Sequence, residues 1–293
     1  MKTLNEIIEY VGLQDQKDTI IETLNKCDKV WKQSLIDRVI SGVNGYELEK
    51  EIIPVAKTLN LHEYTLGLFL LLEVAEKSQK LYAEKCVPEE YFLGALDDIK
   101  VKMAETKAWD NVFGTNCFGW ESSFFCLKII AMGRLQFEQD FYTEFEYNGV
   151  VKINKGDNVL NMHIPSGSKL DVDQCIDSLK NAFNFFKEVR VGKYLPVLLT
   201  NWFLYPPFKN LFSPGGNLVK FANLFDVVES IDYTSFRIAH RIFDTHDVSD
   251  IDKLPQKTSL QRNFVNYMKE GRPCGYGVGF ILFDGEKVIT QKD

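Results

Sequence analysis

Apolar positions recur at helical spacing through roughly the first 131 residues. Ile7, Ile8 and Val11 make one stripe, Ile20, Ile21 and Leu24 a second, and Ile36, Val39 and Ile40 a third, as amphipathic helices sharing a core require. Breaks fall at Gly42 to Gly45, at Pro88 and at Gly114 to Gly119, and the segments after Pro88 and after Trp120 are predicted to be full helices. The longest apolar stretch, Thr65 to Leu72, is far short of the roughly 20 residues a membrane helix needs. It reads as a buried helix.

After Gly133 the period shortens. Leu135, Phe137 and Phe141 alternate with polar residues, and Phe145 to Ile153 reads as another strand with a turn signal at Asn148-Gly149. Val159 to Ile164 is a third strand. It leads into a helix with Val172, Cys175, Ile176, Leu179, Phe183 and Phe186 on one stripe. Val197 to Leu204 is a largely apolar strand, closed by Pro206-Pro207, which suit the first turn of a short helix. Further strands are predicted around Leu218 to Val228 and Thr234 to Phe243. A helix follows, opened by a Thr258/Gln261 capping box and closed by Gly271, and then a last strand from Gly275 to Phe283. The 293 residues exceed the usual size of a single core. The pattern predicts an all-helical domain over 1–132 and an α+β domain, a mixed sheet with flanking helices, over 133–293.

A formal net charge of -7 provides no broad basic field, which argues against nucleic acid and membrane surfaces as partners. The six cysteines are scattered, with no C-x-x-C pair, so reduced thiols and a cytoplasmic location are expected. The opening residues, Met1 to Glu6, turn acidic and helical at once, without the apolar core of a signal peptide. Four histidines with no H-x-x-x-H and no cysteine cluster predict no metal site.

Candidate chemistry concentrates at Leu160 to Leu179. There a strand ending in His163-Ile164-Pro165 passes through Ser166-Gly167-Ser168-Lys169 into the amphipathic helix. A small-residue loop that ends at a helix N-terminus can bind an anion through backbone amides. The other reading is a plain strand-to-helix turn in which Ser168 or Asp171 caps the helix. Asp171 and Asp173 favour it, since they already place negative charge on the first turn.

The ordered words GRLQFE (133–138), LNMHIPSGSKLD (160–171), TNWFLYPP (200–207), LPQKTSLQR (254–262) and GYGVGFILFDG (275–285) resemble a bacterial family of acyltransferase-domain proteins. That family pairs a helical N-terminal acyltransferase domain with a GNAT-like C-terminal domain. The resemblance implies an acyl-CoA lying in a splayed sheet, with its pyrophosphate against the loop after the fourth strand. Here that loop is Pro165 to Lys169, which makes Ile164, Ser166, Gly167, Ser168 and Lys169 the implied cofactor-binding residues. Active GNAT enzymes typically carry Q/R-x-x-G-x-G in this loop, and this chain has only Gly167. Arg272 to Gly277 matches those letters but follows a helix and opens a strand, the wrong setting for the motif.

His163, on a polar strand face, is the candidate base for an attacking amine, against a structural role bonded to a carbonyl. Glu138 and Glu146 are alternative bases, and Tyr205 or Tyr233 a candidate acid toward a leaving thiolate. Trp202 and His240 are candidate substrate contacts, each with a core-packing alternative. Gly275, Gly277 and Gly279 bare one face of the last strand to a ligand or a bulky neighbour. The combined expectation is an N-acyltransferase with acyl-CoA as cosubstrate and no tightly bound cofactor, acting on an unidentified amine. A homodimer is compatible with it. The alternative is a catalytically inactive GNAT-like protein that binds a ligand or another protein.

Overall fold

The computed structural model describes residues 1–141, 146–233, 235–236, 238–245 and 247–289. It divides into two compact units, Met1–Met132 with Pro165–Gly167, and Gly133–Ile164 with Ser168–Asp293.

In the first unit, helices α1 (Leu4–Tyr10), α2 (Lys17–Lys26), α3 (Lys29–Ile40) and α4 (Gly45–Thr58) gather around α5 (Glu63–Glu84). Residues Leu66 to Leu72 of α5 are all buried, as their unbroken apolar run requires. Side-chain caps start four of these five helices, α2 being the exception. Thr3 forms a reciprocal capping box with Glu6, and Asp28, Asn44 and His62 each accept a backbone N–H of the first turn. Two elements complete the array, α6 (Glu89–Asp110), which begins immediately after Pro88, and α7 (Phe118–Phe125). The full helix expected after Trp120 is absent. α7 ends at Phe125, Leu127 takes φ 60°, and Ile129–Met132 forms a strand, β1. Four consecutive buried apolar residues suit a strand or a helix equally, so the pattern could not separate them.

A polar cluster lies inside this unit. Asp98, Lys102, Glu105, Thr115 and Glu121 are all buried, Lys102 Nζ lies 2.8 Å from Glu105 Oε2, and the Thr115 hydroxyl donates to Glu121 Oε2. Burial raises the Glu121 pKa well above the ordinary carboxylate value. The native state therefore keeps a proton that the unfolded chain releases above its ordinary range, so this group's stabilising share declines as pH rises toward the raised value. We expect Glu121→Gln to flatten that decline, read as urea midpoints compared at about pH 5 and about pH 8. An unchanged slope would show that Glu121 is ionised in the fold.

The second unit is built on a sheet of β2 (Leu135–Phe141), β5 (Asn158–His163), β6 (Leu195–Asn201), β8 (Cys274–Phe283) and β7 (Asp226–Tyr233), in that spatial order, with β9 (Val288–Ile289) also paired to β8. The expected strand at Phe145 to Ile153 is a short hairpin, β3 (Tyr147–Asn148) and β4 (Lys152–Ile153), turning after Asn148-Gly149; Phe145 lies outside the described residues. Tyr147, Ile153 and Val159 pack with Phe280 and Leu282 as one core cluster. α8 (Val172–Phe185) lies against β2.

Two expected strands are corrected. Residues 217–222 form helix α9 (Asn217–Ala222), and the strand begins only at Asp226. Leu218, Phe221 and Ala222 follow the i, i+3, i+4 rule, and buried Phe221 meets Phe203 and Phe225. The predicted Thr234 to Phe243 strand contains helix α10 (Ala239–Phe243), and Thr234 lies outside the described residues. Ile238, Ala239, Ile242 and Phe243 are buried in helical rhythm. Asp244 ends the helix at φ 56°, and Gln261 Nε2 donates to Ile242 O at 3.0 Å. That glutamine belongs to α11 (Ser259–Lys269), whose predicted Thr258/Gln261 capping box is present.

Candidate active site

β5 and β6 run parallel, but their register pairs only Leu160 with Val197 and Asn161 with Leu198. Beyond that point each strand stays bonded on its outer side. β5 pairs with β2 as far as His163 opposite Gln136, and β6 pairs with β8 as far as Asn201 opposite Gly277. Two strands held by outer neighbours but no longer by each other diverge. Past Asn161 and Leu198 no further pair joins the two strands, which leaves His163 and Thr200–Asn201 without a ladder partner across the gap.

Register also assigns the faces. Gln136, Glu138, Asn161, His163, Leu198 and Thr200 share one face, while Leu160, Met162, Val197, Leu199, Asn201 and the alternating glycines of β8 share the other. On the first face His163 Nε2 lies 3.3 Å from Glu138 Oε2, with side-chain exposures of 21% and 14%. These residues are a diagonal cross-strand pair, close enough for their long side chains to meet. On the second face the Asn201 Oδ1 is buried with no hydrogen-bond partner among the described residues. A buried acceptor left open at the end of the gap calls for a donor from outside the chain.

The loop after β5 is shaped from below. Gly167 takes φ 89°, a left-handed conformation that favours glycine, and an added Cβ would lie 3.3 Å from Val101 of α6. The Arg134 guanidinium, 9% exposed as a residue, donates to the carbonyls of Ser168 at 3.1 Å and Lys169 at 3.0 Å. In a trans peptide the following N–H points the opposite way, so the amides of Lys169 and Leu170 face away from Arg134. Ser168 and Lys169 are exposed. Asp171 caps α8, its Oδ1 accepting from Gln174 N at 3.1 Å, which answers the question of which residue caps this helix. Ser178 fastens α8 to the sheet by accepting from the amides of Arg134 and Leu135. Burial pushes the Cys175 thiol up to about 12, so it is no nucleophile near neutral pH.

The remaining expected residues do not converge on His163. Tyr205 is buried, its hydroxyl donates to Asp232 Oδ1, and burial raises its pKa further. Its ring lies against Gly275, on the sheet face opposite His163. Trp202 follows β6 in a 3-10 turn, against Phe203, Phe212 and Phe264. His240 is on helix α10, not on a sheet strand. Sequence reasoning missed Arg134 and Asn201. Both sit inside words that carry the family resemblance, GRLQFE and TNWFLYPP, but neither has a local spacing that signals its role.

Residues 129–281, more than half of the chain, match the GNAT-like C-terminal domain family. The chain belongs to that family. Among solved structures, it is similar to an acyltransferase in complex with decanoyl-CoA and teicoplanin, at 20% identity and a TM-score of 0.64, over 75% of this chain and 67% of that one. It is also similar to an acyltransferase mutant in complex with octanoyl-CoA, at 20% identity and a TM-score of 0.63, over 74% and 66%. No curated protein matches the chain in sequence. These likenesses establish the fold, a helical region followed by a GNAT-like mixed sheet. No helix among the described residues is long and apolar enough to cross a membrane.

Proposed function

We propose that this GNAT-like protein transfers an acyl group from an acyl-CoA to the amine of an acceptor, by direct attack. The observation that carries the reading is the parting of β5 from β6 after Asn161 and Leu198. The inner edges then offer an extended, amide-bearing chain the bonds of an added strand, and the pantetheine arm of CoA is such a chain. The acyl-CoA bound by the similar acyltransferases supports it. The outward amides of Lys169 and Leu170, with exposed Lys169, are our candidates for the pyrophosphate, and Ile164, Ser166, Gly167 and Ser168 shape that loop. We assign the protein to the cytoplasm on the scattered cysteine pattern of its sequence.

In this scheme His163 is the base. With Nε2 held beside the Glu138 carboxylate, the imidazole takes the proton of the attacking amine, and the carboxylate steadies the imidazolium that forms. The new C–N bond forms as the C–S bond breaks, and the thiolate leaves with the coenzyme. Tyr205, donated to Asp232 on the other face, stays outside this proton path in our reading.

Deuterium exchange tests the coenzyme site. CoA is expected to slow exchange in the peptides spanning 158–164 and 195–202. Unchanged exchange there at millimolar CoA would overturn the reading. A second reading, binding without turnover, is favoured by Asp171 already capping α8. A protected gap without thiol release in the presence of an amine would select it.

A further inference from the structure

A cavity of about 300 Å³ opens beside the end of β6, walled by Phe203, Leu204, Tyr205, Phe212, Ala222 and Phe225. We infer that this cavity receives the hydrocarbon tail of the acyl group, which makes the enzyme selective for an aliphatic chain over acetyl. The inference rests on the acyl-CoA reading and adds the class of acyl group.

Three features lead to an aliphatic occupant. The first is position. Asn201 ends β6 at the lip of the gap, and the cavity wall starts at Phe203, two residues on. Leu204 and Phe225 lie over Gly279, and Leu204 also lies over Gly277, the residue opposite Asn201. Cavity, glycine stripe and the unpartnered Asn201 carboxamide oxygen thus share one sheet face. A thioester seated in the gap can keep its carbonyl open to His163 on the first face and send its tail to the second. The second feature is chemistry. The buried walls are aromatic and aliphatic, and the charged lining residues Lys209 and Asp226 are exposed and half-buried, so the interior solvates hydrocarbon and rejects a charged group. The third is size. The volume is at the lower end for small-molecule sites, which suits a single unbranched tail better than a bulky acceptor.

The test is calorimetry on the full chain with CoA, acetyl-, butyryl-, hexanoyl-, octanoyl- and decanoyl-CoA. Affinity is expected to rise about fourfold for each added methylene until the cavity is full, and then to level off. Ala222→Trp, and separately Val219→Trp from another part of the wall, are expected to move the plateau to shorter chains while CoA itself keeps its affinity. Thermal melts confirm that each variant is folded. If CoA binds but affinity is indifferent to chain length, the tail site is overturned and the acyl-CoA reading stands. If a plateau exists but neither folded variant moves it, the tail lies elsewhere. If no CoA species binds, both fall.

Discussion

Replacing His163 by Ala is expected to lower kcat for acyl transfer by about 10²- to 10⁴-fold, the usual contribution of a positioned general acid–base group, while CoA affinity stays near that of the unchanged protein. The split follows from geometry. His163 projects onto the face it shares with Glu138 and Asn161, whereas the coenzyme bonds proposed here come from backbone edges and the loop after β5. Added imidazole should restore part of the rate in His163→Ala, because a missing base can be supplied from solution but a missing packing contact cannot. Glu138→Gln should lower kcat by a smaller factor and leave KM for the acyl-CoA unchanged, since the carboxylate acts through the imidazole. Steady-state rates of thiol release measure all three. A His163→Ala enzyme that turns over at full speed would remove His163 from the mechanism.

Gly277→Ala is expected to cause a large loss of stability. A Cβ at this position would lie 2.2 Å from the Leu204 carbonyl oxygen and 2.4 Å from its carbon. Those are backbone atoms of the turn that follows β6, so no rotamer change relieves the contact. Overpacking of this kind costs about 3 kcal/mol or more at its upper end, and the unit that loses it contains both the gap and the proposed tail cavity. Gly279→Ala should cost less, because its nearest neighbours are side-chain atoms, Leu204 Cδ1 and Phe225 Cβ, at 3.0 Å. Urea unfolding of the two variants gives the ordering directly. Equal losses, or a larger loss at Gly279, would mean that the turn does not rest on β8 as described.

Legibility differed from element to element for physical reasons. Long segments with a clear period, such as α8 and α11, were readable because periodicity and capping chemistry are local properties of the chain. Short apolar runs were not. Ile129–Met132 read as helix and folded as strand, while Asn217–Ala222 and Ala239–Phe243 read as strand and folded as helix. Over four to six residues the burial requirement is the same in either state, and the neighbours decide. Phe203 and Phe225 hold Phe221 on α9, and Gln261 of α11 caps α10.

At the site, the chain's own order determined that a polar-faced strand ends in His163, that a small-residue loop follows, and that alternating glycines bare one side of β8. What lies over those glycines, Leu204, Tyr205 and Phe225, was decided by tertiary packing, as was the pairing of His163 with Glu138 25 positions away. The divergence of β5 from β6 is also a tertiary outcome. It arises because each strand is bonded to a different outer neighbour, β2 on one side and β8 on the other. The hold of Arg134 on the Ser168 and Lys169 carbonyls spans more than 30 positions. Period and capping act over a few residues and can be read in one pass along the chain; strand partnership and side-chain pairing depend on which distant segments meet, and only the folded chain specifies that.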